Sequence, residues 1–307
     1  MASFLIKRLI HGIVVLWFVA TLTFILLRLA PGGPFDSERR LPPEVLANIE
    51  AKYHLDEPLW SQYLRYLGGI VHADLGPSYK YLDRAVSRII ADTLPTSALL
   101  GLLALIFALT VSFPTGLIAA SFRNSWIDRL SLLVATLGIS VPHFILGALL
   151  IWLFALQLGW LQAGRWDNAA SMILPMITLG AAPAAYLAAL LRSTVIETLG
   201  EDFIRTARAK GLRESTVLFK HALRNSLVPL LTVMGPLAAI LLTGSFVVEF
   251  VFAIPGMGRF FITAVTDRDY PLIMGVTLVY TALLVAANLL VDLCYSYIDP
   301  RIRAYGR

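Results

Sequence analysis

Six long stretches without Asp, Glu, Lys or Arg dominate this chain: 9–27, 94–122, 130–164, 169–191, 225–248 and 270–291. A helix rises about 1.5 Å per residue, so even the shortest stretch reaches about 28 Å, enough to cross the hydrocarbon core of a bilayer. The chain is 58% hydrophobic and 15% charged, with a mean hydropathy of +0.75. A soluble domain carries about a quarter charged residues. The apolar excess must be solvated by lipid, and in lipid a spanning segment must satisfy its own backbone. That leaves helices for stretches of this length. The pattern therefore predicts an all-α polytopic membrane protein with six transmembrane helices.

The third stretch is too long for one crossing, so its end near 159–164 is expected at the interface. Pro95, Pro114, Pro142, Pro175, Pro183, Pro229 and Pro236 interrupt the stretches. Membrane helices tolerate such breaks where neighbours satisfy the freed carbonyls. Trp17, Trp60, Trp126, Trp152, Trp160 and Trp166 lie mostly near predicted ends, where interface anchors belong. Lys7 and Arg8 precede the first stretch, which is longer than a signal-peptide core and shows no small-x-small cleavage site. It reads as a retained anchor.

Six crossings put both termini on one side. That side holds Lys7, Arg8, Arg123, Arg129, the 192–226 loop and the tail, with 14 of the 25 Lys and Arg. The other side holds 10, seven of them in the long 31–92 segment, where nine Asp or Glu outnumber them. Short loops decide orientation, so both termini and the 201–226 insert are assigned to the cytoplasm. The net charge of +5 follows from this clustering and is no nucleic-acid signal. The division is then a first helix at 1–30, a periplasmic segment at 31–92, a five-helix core at 93–300 and a tail at 301–307. In the periplasmic segment, Val45, Leu46, Ile49 and Tyr53 share one helical face and Leu59, Tyr63, Leu67 and Ile70 another. The spacing predicts two short surface helices.

Familiar chemistry is missing. There is no P-loop, no H-E-x-x-H and no glycine-rich dinucleotide fingerprint. Cys294 is the one cysteine, which excludes an intrachain disulfide and a multi-cysteine metal site; it reads as a small packing residue. Ser140 and His143 lie close in one stretch, yet no third group orients the histidine, as a serine nucleophile requires. A membrane enzyme using that pair, and a channel, are the readings from other classes. Ion-coupled carriers place a carboxylate or histidine near the bilayer centre. Here Arg28, Glu249, Asn288 and Asp292 fall near the ends of the stretches. A structural ion pair with Arg259 or Arg268 is expected for Glu249, and one with a cytoplasmic arginine for Asp292. A conduit built this way has no energy source of its own.

The insert EDFIRTARAKGLRESTVLFKHALRNS, residues 201–226, carries six Lys or Arg. Glu201 and Asp202 sit at the positive end of a short helix, and Arg208 and Lys210 at its negative end. Phe203, Ile204 and Ala207 form a small apolar face, and Gly211 ends the helix. A second helix is predicted over 214–224, with Val217, Leu218 and Leu223 turned towards the membrane domain. Such an insert either fits a partner's groove or merely fixes topology against anionic lipid.

The stretches RTARAKG (205–211) and HALRNSLVP resemble the cytoplasmic loop of bacterial ABC-importer permeases of the peptide and nickel branch. The general loop pattern is Glu-Ala-Ala, three residues, Gly, nine residues, Ile-x-Leu-Pro. Ala207, Gly211 and Leu223 fit it. Arg205, Thr206, His221 and Arg224 depart from it, as that branch does. RLAPGGPF, LPPEVLANIEAKYHLDEPLWSQYLRYL, DLGPSYKY, VEFVFAIPGMGRFF, RDYPLIMG and DPRIR are similar to the first membrane subunits of oligopeptide permeases. The resemblance implies a type I importer permease fold in the bacterial inner membrane. The implied partners are a homologous second permease subunit, two ABC ATPase subunits and a periplasmic peptide-binding protein. ATP and Mg would be bound by the ATPases and no cofactor by this chain. Phe203, Ile204, Arg205, Thr206, Ala207, Arg208, Gly211 and His221 would couple to the ATPases. Dipeptides, glutathione or nickel are the alternative cargoes within the family.

Overall fold

The computed structural model describes residues 2–35, 42–81, 83–242 and 244–298. The tail 301–307 lies outside the described residues, as do the side chains of Leu46, Asp292 and Cys294, so the pairing expected for Asp292 has no structural counterpart here. The helices in order are α1 Ala2–Leu29, α2 Pro43–Lys52, α3 Leu59–Val71, α4 Val86–Ser121, α5 Trp126–Ser140 and α6 His143–Leu150. They continue with α7 Ala169–Leu199, α8 Asp202–Ala209, α9 Glu214–Thr216, α10 Leu223–Leu242, α11 Phe246–Val251, α12 Met257–Asp267 and α13 Tyr270–Ile298. Two wide π-helical pieces intervene, Ile151–Gln157 after α6 and Val217–Ala222 between α9 and α10. No strand occurs among the described residues.

Among the described residues, five helices are long and apolar enough to cross a membrane, and the α5–α6 pair, bent by 107°, supplies a sixth crossing if counted as one. The break falls at Val141–Pro142, at one of the prolines that interrupt this stretch, because Pro142 lacks a backbone N–H and disfavours a helical residue before it. Contacts along α7 favour counting the pair as one crossing. Asp128 of α5 meets Arg192, Gly138 lies against Ala185, His143 reaches the Thr178 carbonyl and Leu150 packs near Leu174. The pair thus runs antiparallel to α7 for most of its length. With six crossings, both termini return to one side.

The chain folds as two compact units. Among the described residues, one unit is 2–96 with Pro255–Ala286; the other is Ser97–Ile254 with 287–298. Compactness therefore divides the chain differently from the linear scheme of anchor, outer segment and core. In the first unit Phe24, Val86, Ile89, Met257, Leu272 and Val276 form the core, with Tyr63, Tyr66 and Tyr79 packed against it. Asp269 is its polar hub. It is 1% exposed, accepts from the Ser78 hydroxyl, and accepts from the backbone N–H of Tyr79 at 3.1 Å and of Leu272 at 3.3 Å. The second unit has one core around Leu100, Leu174, Phe252 and Ile254 and another around Leu187, Leu191, Val195 and Leu230. Gly101 is required there: a Cβ would sit 2.0 Å from the Leu241 carbonyl oxygen, so only glycine lets α4 and α10 approach.

Candidate functional site

Between the fourth and fifth crossings the chain makes a compact stub on the side that the charge rule assigns to the cytoplasm. Helix α7 ends at Leu199, and Glu201, in extended conformation, opens α8. Asp202 in the first turn and Arg208 in the last complement the helix dipole. Ile204 is fully buried and Ala207 is 6% exposed; both pack on Val217, Ala222 and Leu199. Burying one such aliphatic side chain stabilises the contact by about 1.5–3 kcal/mol. The stub is therefore seated on the roots of α7 and of the helix that follows.

Those roots are themselves joined. Val195 and Leu191 of α7 share a core with Leu230, Leu218, Leu223 and Leu227. Below them the Thr198 and Ser226 hydroxyls meet at 3.0 Å. The second short helix predicted over 214–224 is not a separate element. It passes through the π-helical piece and runs on as α10, so the stub's second leg is the root of the fifth crossing. Val217 is buried and Leu218 and Leu223 are half-buried against the membrane domain. Nearby, Arg192 holds Asp128 through two bonds, of 2.5 and 2.8 Å, tying the start of α5 to α7 two turns above the stub.

Gly211 closes α8. Its φ of +76° is the left-handed conformation, and its N–H donates to the Arg208 carbonyl at 2.9 Å. Nothing lies within 4 Å of where its Cβ would stand, so the turn needs glycine for backbone conformation and not for room. Across this turn the Arg208 guanidinium grips Glu214 through two bonds, of 2.8 and 3.2 Å. Arg208 is thereby drawn into the stub's own framework.

The structure separates the eight residues expected to couple. Phe203, Arg205, Thr206, Arg208 and Gly211 are exposed on α8 or at its end. Ile204 and Ala207 face inward as anchors, so the predicted apolar face is split: Phe203, 42% exposed, is the part a partner can reach. His221 is half-buried in the π-helical leg, where its carbonyl accepts from the Asn225 amide at 3.3 Å. Arg205 is paired with the neighbouring Asp202 at 3.2 Å, with both side chains largely in solvent. Leu212 and Phe219, 38% and 60% exposed, were not among the expected residues. The signal available in the sequence was an apolar side chain off the buried-face spacing within a basic insert.

The Ser140–His143 pair does not assemble. His143 directs Nδ1 to the Thr178 carbonyl at 3.2 Å, while Ser140 is exposed, so the two do not form a nucleophile and base. Glu249 is fully buried in α11. Arg268 donates to the Gly33 carbonyl at 3.2 Å.

Residues 112–304 match the family described as binding-protein-dependent transport system inner membrane component, and residues 1–101 match the N-terminal part of such membrane components. The chain is 44% identical to the oligopeptide transport system permease protein OppB of Haemophilus influenzae over 305 residues, 99% of this chain and 100% of that one. It is 44% identical to the dipeptide transport system permease protein DppB of Bacillus subtilis over 307 residues, the whole of both chains. The OppB of Salmonella typhimurium is 43% identical over 305 residues, 99% of this chain and 100% of that one. Among solved structures, an inward-facing form of the MetNI methionine ABC transporter aligns with a TM-score of 0.51 at 18% identity, covering 71% of this chain and 97% of that one. At that identity the likeness concerns the fold alone. Several apolar spans, a seated stub and similarity over the full length lead to one conclusion: this multi-pass membrane protein belongs to the family of binding-protein-dependent transport system inner membrane components.

Proposed function

We propose that this chain is a membrane subunit of an ATP-driven importer of oligopeptides in the bacterial inner membrane. It contributes part of the translocation path and docks an ATPase subunit on α8. One observation carries the docking role. Ile204 and Ala207 seat α8 on the joined roots of two crossings, while Phe203, Arg205 and Thr206 are left exposed. A load on the exposed face therefore reaches α7 and α10 together. A nucleotide can shift the conformational balance only if the docked motor contacts the stub differently in its two states, and the seated stub would pass such a difference on to α7 and α10. The ATPases, a second permease and a peptide-binding protein complete the machine.

The cargo reading rests on relatives named for oligopeptide transport. An equally similar relative is named for dipeptide transport, which favours short peptides as the second reading. The test uses the complete transporter in vesicles, with labelled dipeptide and tetrapeptide supplied separately. Phe203→Asp changes an exposed side chain and should leave assembly in the membrane intact. It should abolish peptide-stimulated ATP hydrolysis and uptake of both peptides. Uptake at the unsubstituted rate removes α8 as the docking surface. Uptake of dipeptide alone by the unsubstituted transporter replaces the oligopeptide reading with the dipeptide one.

A further inference from the structure

At the outer end of α1, Arg28 stands without a counter-charge. Its Nε and Nη2 both donate to Gln62 Oε1, at 3.3 and 2.8 Å, and its Cζ lies 3.8 Å over the Phe24 ring. Nη1 is buried and has no hydrogen-bond partner among the described residues. None of the ion pairs among the described residues includes Arg28. Arg28 is half-buried, and an unmade hydrogen bond on its buried nitrogen is costly.

Two cavities meet at this residue. The first, of about 610 Å³, is lined by Arg28, Lys52, Tyr53, His54, Arg65 and Tyr66 among others. Glu57 already holds Arg65 at 2.5 Å and His54 at 3.1 Å. The lining carboxylate, Asp74, accepts from the Gly76 N–H at 3.0 Å. Arg28 and Lys52 outnumber the one lining carboxylate and leave the cavity with a net positive charge. The Tyr66 hydroxyl is buried without a partner, and burial pushes its pKa up to about 12, so it stays protonated as a donor. The second cavity, of about 300 Å³, is a mostly apolar groove lined by Ile25, Leu29, Leu59, Trp60 and Tyr63 together with Arg28. Leu29, Leu59 and Trp60 are 75%, 59% and 68% exposed, on the last turn of a spanning helix and the first turn of α3.

We propose that this junction holds one membrane phospholipid, with its phosphate on Arg28 and an acyl chain in the groove. The depth fits, because the last turn of a spanning helix lies at head-group level, where Arg and Trp act as anchors. The shape fits an amphiphile, since one guanidinium serves both a cationic cavity and an apolar groove. A peptide carboxylate or free phosphate would use the first cavity and leave the groove empty. Nη1 is closed to water as it stands, so binding turns Arg28 from Gln62 towards the phosphate, within the freedom of its long side chain.

The test is native mass spectrometry of the purified full chain, titrated with palmitoyl-oleoyl phosphatidylglycerol. One lipid should stay bound. Arg28→Ala should weaken it at least about tenfold, as the loss of a charge-assisted pair implies. Arg28→Lys should retain part of the binding, since an ammonium keeps the charge without the fork. Trp60→Ala and Leu59→Asn, in the groove, should each weaken it about threefold through lost apolar contact. Inorganic phosphate and a tripeptide with a free carboxylate, each in excess, should not displace it. Equal retention by Arg28→Ala and Trp60→Ala overturns the proposal. Displacement by phosphate makes the site a simple anion pocket, and displacement by the tripeptide makes it a peptide site; either result also overturns it. If Arg28→Ala does not fold, the groove variants decide, because they alter exposed side chains.

Discussion

The cytoplasmic stub and the outer segment are both short helices outside the bilayer, yet they are held in opposite ways. The stub rests on a thin aliphatic seat, with Ile204 and Ala207 on Val217 and Ala222, and leaves a basic and aromatic face open. The outer segment is fastened by polar hubs and stacked rings. Asp269 fixes the 78–80 backbone, Gln62 ties α3 to Leu55 and Glu57, and Phe35, Tyr53 and Tyr79 form a ring cluster with centroids 4.7–5.9 Å apart. On the proposed docking reading, a thin seat on two crossing helices would transmit displacement into them, and a cross-tied outer segment would resist it.

The contrast can be broken experimentally. The largest effect is expected in the outer segment, where Asp269→Ala removes the acceptor for several buried donors and should cost about 3–5 kcal/mol. Limited proteolysis should then cut within 42–81 while the 201–213 stub keeps its unsubstituted cleavage rate. Equal loss of protection at both sites would mean that the two regions are not independently held. Ile204→Ala should produce the converse pattern. A cavity under α8 is expected to cost about 2–4 kcal/mol, read as faster hydrogen exchange across 202–222 with the outer segment unchanged. Gly211→Val comes next. Its side chain meets no neighbour, so the expected cost of about 1–2 kcal/mol is that of a β-branched residue held in the left-handed region. Gly211→Asn should restore peptide-stimulated ATPase in the complete transporter, since asparagine accepts that conformation. If Val and Asn behave alike, backbone conformation is not what the turn requires. The smallest effect should follow Arg208→Gln. The Arg208–Glu214 pair is exposed and screened, so the thermal midpoint should hardly move while coupling falls modestly. A large loss of stability in that variant would show that the pair, and not the aliphatic seat, holds the stub.

Much of the architecture is legible from charge and hydropathy because lipid allows few solutions. The spanning stretches and the stub's position follow from where charge is absent and where it clusters. Helices at 43–52 and 59–71 follow from spacing, although α3 buries Gln62 in its first turn and leaves Leu59 exposed. That reversal has a physical cause: Gln62 satisfies both carbonyl acceptors and the Arg28 guanidinium, which an apolar side chain could not. Pro142 was visible, yet its consequence, a crossing broken by 107°, depended on α7 offering partners on both sides of the bend. Within the stub, helical spacing grouped Phe203 with Ile204 and Ala207. Only the position of the second leg decided that two of these face inward.

The sequence alone determined that this chain crosses a membrane several times, which side carries the basic insert, and that no fuel-binding motif is present. These depend on one-dimensional quantities: length, charge and the cost of an unsatisfied backbone in hydrocarbon. The tertiary structure decided which residues of the insert are anchors and which are exposed, how Arg28 comes to lie between a polar cavity and an apolar groove, and how 255–286 joins the outer segment in one compact unit. Those outcomes rest on contacts between residues far apart in the chain, and pattern along a single helix does not encode the surface it will meet.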